Sequence, residues 1–251
     1  MSYLKEHIYT IPINECFDKQ CECPICLFIE NEEQKRIEYI LGASMMEPNE
    51  RIVYNKKGFC KRHSGMMYEF GNRLSHSLIL ESRTEYLSNL IENFIHKLNH
   101  TNGNLFFFGS KKDNFNSKEK EAIAMTSNSC VICERINKTE ADFIDNILYL
   151  YKNDEDFKTK FLKSKGFCLY HFNSLVEASV KHFSFDDCKA FLFTLCEIEK
   201  DSIDRINCDV KNFSKTFDYR YQTENLSTAK DAVQRGCQKI SGYNKEYKLK
   251  D

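Results

Sequence analysis

A chain of 251 residues with 41% hydrophobic and 29% charged side chains has the balance of a water-soluble globular protein, outside the disordered and membrane classes. Its 36 basic residues against 37 acidic ones leave a formal net charge of -1, which supplies no overall field to gather nucleic acid or an anionic membrane. No apolar run reaches the roughly 18 to 20 residues of a membrane span, and Met1 to Ile8 lacks the apolar stretch of a signal peptide, so a cytoplasmic location is expected.

Read from the N-terminus, Ile8 to Ile13 is a β-branched run that Pro12 bars from a central strand; an extended arm is expected over 1–21. Asn14 is read as the cap of a brief helix through Glu15, Cys16 and Phe17 that leads to Cys23-Pro24-Ile25-Cys26. Leu27, Phe28, Ile37, Ile40 and Leu41 then recur at helical intervals up to a break at Glu47-Pro48-Asn49, and a short helix runs to Gly58. Leu87, Leu90, Ile91, Phe94, Ile95 and Leu98 predict an amphipathic helix ending near Asn99 and carrying most of the core of a first half, 22–99. Residues 100–128, rich in Asn, Ser, Lys and Gly, read as a mobile linker. Within it Leu105-Phe106-Phe107-Phe108 is out of place, either an anchor onto the body or an exposed patch.

A second half, 129–208, repeats the plan. Ile136, Phe143, Ile144, Ile147, Leu148 and Tyr151 mark one helix, and Phe157, Phe161 and Leu162 a shorter one before Gly166. Leu175, Val176 and Phe183, then Phe191, Leu192, Leu195, Ile198 and Ile203, mark two more. Cys188 and Cys196 fall inside this pattern and read as small buried hydrophobes. In the tail, 209–251, a helix is expected from Thr228 to Ile240, capped by Ser227 and stopped by Gly242.

The recurrence is sharpest at one phrase. Gly58-Phe59-Cys60-Lys61-Arg62-His63 returns as Gly166-Phe167-Cys168-Leu169-Tyr170-His171, and each copy follows a Cys-x-x-Cys pair, Cys23/Cys26 or Cys130/Cys133. The copies are offset by 107 residues at the first ligand and 108 at the last, as a duplication with one inserted residue would leave them. Three thiols and one imidazole are the ligand set of a closed tetrahedral zinc site. The expectation is therefore two zinc ions per chain: one on Cys23, Cys26, Cys60 and His63, the other on Cys130, Cys133, Cys168 and His171. Pairing inside each half is favoured because its loops are shorter. Phe59 and Phe167 should wedge the sites into apolar surroundings. Lys56, Lys57, Lys61 and Arg62 beside one phrase, and Lys163 and Lys165 beside the other, should soften the negative charge.

Four protein ligands leave no open coordination position, which points to a structural metal over a catalytic one. A redox Cys-x-x-Cys would need a βαβ context that is missing, covalent haem would need His directly after the pair, and an iron-sulfur cluster with a His ligand stays chemically allowed. His96 and His100 have no carboxylate or cysteine clustered with them in sequence and read as exposed helix-end residues. No phosphate-binding loop, His-Glu-x-x-His or Gly-x-Ser-x-Gly is present, and nothing in the sequence names a reaction.

With both phrases in hand, the chain resembles a family of uncharacterised, mostly helical bacterial proteins, common in Firmicutes, that carry paired Cys-x-x-Cys and Gly-Phe-Cys-x-x-His motifs. The tail residues Phe217-Asp218-Tyr219-Arg220 and Lys230-Asp231-Ala232 with Arg235 belong to the same likeness. The resemblance implies the eight ligands and no activity. The expected protein is all-α: two duplicated helical units, each around a zinc site, and a C-terminal helix packed on the body. It would be a non-catalytic binding or scaffold module for a protein or small-molecule partner. The alternative is a thiol-redox or metal-responsive protein using the Cys-x-x-Cys pairs or a cluster. If the tail rings cover a groove, Asp218, Arg220, Lys230, Asp231 and Arg235 are candidates for a ligand site; otherwise those charges fasten the tail.

Overall fold

The computed structural model describes residues 3–100, 118–219 and 229–242, and these form α-helices joined by short turns with no strand among them. In chain order they are α1 (Tyr3–Asp18), α2 (Pro24–Leu41), α3 (Pro48–Lys57), α4 (Lys61–Phe70), α5 (Arg73–His100), α6 (Lys118–Asn128), α7 (Val131–Asn153), α8 (Glu155–Leu162), α9 (Leu169–His182), α10 (Phe185–Lys215) and α11 (Ala232–Ser241). The expected all-α class and the packed C-terminal helix are both present.

Local chemistry sets most of the ends. Pro48 opens α3 at the position where a missing N–H costs nothing. Asp154 caps α8 by accepting from the backbone of Asp156 and Phe157, and Ser184 caps α10 by accepting from Asp187. Gly242 closes α11 in the left-handed conformation, φ 69°, as expected of a C-terminal stop.

Three expectations are corrected. The N-terminal run is helix, not an extended arm: Pro12 lies inside α1, and Asn14, instead of capping, donates from its side chain to the Thr10 carbonyl at 3.0 Å. An interior proline costs roughly 3 kcal/mol, while burying Ile13 and Phe17 returns about 1.5–3 kcal/mol each, so burial wins. Part of the expected linker is α6, built from the helix formers Lys, Glu and Ala; Leu105 to Phe108 lie outside the described residues. Helix α5 does not carry a core with its C-terminal half. Ile91 and Ile95 are 53% and 51% exposed, while Ile79 nearer its start is buried. A helix of 28 residues is about 42 Å long, whereas its partners α3 and α6 have 10 and 11 residues and span ~15–17 Å.

The chain divides into two compact units, Met1–Asn31 with Thr139–Asp251, and Glu32–Lys138. These are not the expected segments 22–99 and 129–208, because the division falls inside α2 and α7. The first unit holds an aromatic core: Phe28 stacks on Phe143 at 3.7 Å, and Phe161 meets Phe17, Tyr151, Phe167 and Phe191 at 5.0 to 5.8 Å between centroids. The second buries Ile37, Ile40, Leu41, Tyr54, Met67, Ile79, Val131, Ile132 and Ile136.

Candidate metal centres

The eight expected ligands come together in two groups of four, but the groups exchange halves. Cys23 and Cys26 meet Cys168 and His171 in the first unit; Cys60 and His63 meet Cys130 and Cys133 in the second. The expected pairing of Cys23/Cys26 with Cys60/His63, and of Cys130/Cys133 with Cys168/His171, is therefore overturned. Each Cys-x-x-Cys of one repeat pairs with the Cys-x-x-His of the other.

The point at which each phrase arrives shows the exchange. Cys26 sits in the first turn of α2, and His63 of the first phrase meets Glu33, seven residues and about 10 Å further along that helix. His171 of the second phrase likewise meets Glu140, seven residues beyond Cys133 along α7. The loop-closure objection is too small to prevent this. Closing the 142 residues between Cys26 and Cys168 instead of the roughly 33 between the pair and the phrase costs only about 1.3 kcal/mol more.

All four arms lie at helix N-termini. Cys23 and Cys130 precede the first residues of α2 and α7, and Cys60 and Cys168 are the N-cap residues of α4 and α9. Helix N-termini favour thiolate over thiol. The glycine before each phrase is required: Gly58 and Gly166 have φ of 71° and 87°. A Cβ on Gly58 would come within 2.1 Å of the Arg83 guanidinium, and one on Gly166 within 2.7 Å of a Glu199 oxygen.

In the first cluster, His171 Nδ1 lies 3.4, 3.3 and 3.2 Å from the sulfurs of Cys23, Cys26 and Cys168, and the Cys26 and Cys168 sulfurs are 3.5 Å apart. In the second, His63 Nδ1 lies 3.2, 3.4 and 3.3 Å from Cys60, Cys130 and Cys133, with Cys60 and Cys133 sulfurs 3.7 Å apart. Zn–S bonds of about 2.3 Å and Zn–N bonds of about 2.0–2.1 Å in a tetrahedron place sulfurs ~3.8 Å from one another and ~3.6 Å from the nitrogen. Both groups match that size to within a few tenths of an ångström, so the residues fit a tetrahedral ion.

The far side of each imidazole is held by a carboxylate. Glu33 Oε1 is 3.1 Å from His63 Nε2, and Glu140 Oε1 is 3.4 Å from His171 Nε2. With Nε2–H donating to the carboxylate, Nδ1 keeps its lone pair for a metal, the arrangement that orients histidine ligands. Glu33 also accepts a two-armed bond from Arg62, at 2.5 Å on each side. Glu33 and Glu140 were missed in the sequence, yet a signal was there: each stands seven residues after the second cysteine of its Cys-x-x-Cys pair.

The cation contacts around the sites differ from the expected ones. Lys57 and Arg62 are paired with Glu134 and Glu33, and Lys165 reaches the Gln20 carbonyl at 3.4 Å. The cation at the first site is Lys239 of α11, unforeseen and buried, whose Nζ donates to the Phe167 carbonyl at 2.7 Å and lies 3.3 Å from Glu199. Glu199 in turn accepts from the Phe167 N–H at 2.9 Å. Phe167 is buried as expected, and Phe59 is half-buried against Tyr54.

The thiols and imidazoles bias one another strongly. Burial alone would lower His63, but the Cys130 sulfur and the Glu33 carboxylate overcome it and carry the imidazole up to about 10. Cys130, despite burial, is drawn down to about 6 by His63, while burial and the neighbouring Cys130 push Cys133 up to about 12. In the first cluster His171 is raised to about 12 against burial by Cys168, Cys23 and Glu140. Hydrogen bonds from Cys23 and Cys26 pull Cys168 far down, and bonding to Cys168 pushes Cys26 far up. In each group one thiol, Cys130 or Cys168, is drawn toward thiolate beside a raised imidazole, while a second, Cys133 or Cys26, is held toward the neutral thiol.

Of the remaining candidates, Cys188 is half-buried and Cys196 exposed, so neither is the core residue expected. His96 is exposed, and the His100 side chain lies outside the described residues. The tail charges fasten α11: Arg235 pairs with Asp231 at 2.9 Å and Asp209 at 2.8 Å. Lys230 is exposed, Asp218 lies just past the end of α10, and Arg220 lies outside the described residues. Phe217 and Tyr219, expected to cover something, are 78% and 80% exposed.

A helical chain with two groups of three cysteines and one histidine, each of metal-site dimensions, matches the model of a family of unknown function, DUF6062, over residues 4–247. The chain belongs to that family. No curated protein and no solved structure matches it.

Proposed function

We propose that the protein holds two structural zinc ions, one on Cys23, Cys26, Cys168 and His171 and one on Cys60, His63, Cys130 and Cys133, and serves as a non-catalytic binding or scaffold module. The carrying observation is that all eight ligand atoms fall into two sets of four whose members lie within 4.8 Å of one another. Thiolate-rich sites prefer soft and borderline ions, and a tetrahedron of three sulfurs and one nitrogen suits zinc. Four protein ligands with a carboxylate behind each imidazole favour a closed site over a catalytic one.

Energetics agree with a structural role. Zinc in small finger domains contributes on the order of 10–16 kcal/mol, comparable to the roughly 5–15 kcal/mol net stability of a whole domain. A reducing compartment such as the cytoplasm keeps such thiolates available, and no helix among the described residues is long and apolar enough to cross a membrane. Metal analysis of natively, anaerobically purified protein tests the reading. Two zinc ions per chain and a colourless solution are expected; iron with visible absorption, or a single ion, would refute it.

A further inference from the structure

The two groups have the same chemistry and different surroundings. In the first, all four ligands are buried. The end of α11 lies over it: the Gly242 carbonyl is 3.9 Å from the Cys26 sulfur, and a Cβ on Gly242 would be only 3.5 Å from Cys168 and 3.8 Å from Cys26. Lys239, one turn earlier, ties that helix to the Phe167 carbonyl and Glu199 beside the ligand Cys168. In the second group His63 and Cys130 are buried, but Cys60 and Cys133 are only half-buried. Their sulfurs stand 3.7 Å apart, and Phe59, next to Cys60, is itself half-buried.

We propose that the second group is an exchange site, from which the ion passes to and from soluble thiol or aminopolycarboxylate acceptors, while the first group keeps its ion as a permanent part of the fold. The proposal rests on the two-zinc content of the reading above and gives the second ion an exchangeable role in place of a structural one. Ion exchange at a thiolate-rich centre begins when an incoming donor replaces one protein sulfur, so its rate follows the access of a donor to a coordinated sulfur. The two half-buried cysteines of the second group, Cys60 and Cys133, offer that access. The first group offers none until α11 lifts, which requires breaking the buried Lys239 contacts. Thiol reagents should obey the same order, since a coordinated thiolate is attacked only where it can be reached. The remaining histidine, Glu33 and Arg62 keep the vacated pocket shaped for another borderline or soft divalent ion.

The test uses the full-length zinc protein, its metal content measured first. Excess EDTA is added and residual protein-bound zinc is followed, while iodoacetamide labelling at each time point is mapped by peptide mass spectrometry. Two phases of one zinc each are expected, separated by at least about tenfold in rate, with Cys60 and Cys133 labelled during the fast phase and Cys23, Cys26 and Cys168 protected until the slow one. Exposed Cys196, Cys208 and Cys237 serve as immediate-labelling controls. Cys133→Ser should lose the fast phase and keep the slow phase; if that variant does not fold, the labelling order in the unaltered chain decides alone. Release of both ions in a single phase, or earlier labelling of Cys26 or Cys168, overturns the proposal. A starting content other than two zinc ions would instead strike at the reading on which it rests.

Discussion

Glu33 and Glu140 each stand behind the histidine of one candidate metal group. On the two-zinc reading each fixes that imidazole's tautomer, so Glu33→Gln should weaken the second site and Glu140→Gln the first, each about 10- to 100-fold, with helix content unchanged. Competition against a chelator of known affinity reads this, and equal affinities in the variants would show the carboxylates to be bystanders. The proton balance gives a second residue-scale expectation. With His63 raised to about 10 and Cys133 to about 12, both hold protons at pH 7 that an incoming ion must displace. Binding therefore releases protons and weakens as pH falls. Calorimetry in buffers of different ionisation enthalpy should show at least two protons released at this site; heats independent of buffer would contradict it. Gly166→Ala should destabilise the first unit by about 1–3 kcal/mol, since its positive φ and the Glu199 oxygen both resist a Cβ, and a lowered melting temperature is the readout.

At the scale of elements, the strongly periodic stretches were legible. The helices α2, α3, α7, α8, α9 and α10 follow their apolar spacing, and Pro48 and Gly242 mark real ends. What was not legible has identifiable causes. Pro12 argued for an arm, but burial of Ile13 and Phe17 on one face outweighs one lost backbone bond. The apolar half of α5 looked like a core helix because periodicity reports a face without reporting whether a partner is long enough to cover it. The role of α11 was half-read: its existence came from the expected cap at Ser227 and stop at Gly242, whereas Lys239 as a buried clamp gave no signal in sequence, lysine being a residue that is almost never buried unless paired. Lys239→Met should cost about 3–5 kcal/mol, because Glu199 is left buried without its partner. Urea denaturation of the zinc-loaded protein measures it, and a variant as stable as the original would mean that the pair contributes nothing to holding α11.

For the whole molecule, the eight cysteines and histidines that gather were readable and their grouping was not. Two identical motifs leave sequence with no means of saying which Cys-x-x-Cys serves which Cys-x-x-His, and loop length favoured the wrong answer by only about 1.3 kcal/mol. Each phrase arrives beside Glu33 or Glu140, seven residues past the Cys-x-x-Cys pair of its own repeat, and so meets the other pair. Each copy of the motif therefore supplies half of each candidate metal group, so neither group is complete within one copy. Paired substitutions followed by zinc analysis test this most directly. Cys26→Ser with Cys168→Ser removes two ligands of one group and should leave one zinc per chain, while Cys26→Ser with Cys60→Ser damages both groups and should leave none. The reverse result, no zinc in the first pair and one zinc in the second, would show that each repeat binds its own ion and would contradict the exchanged arrangement.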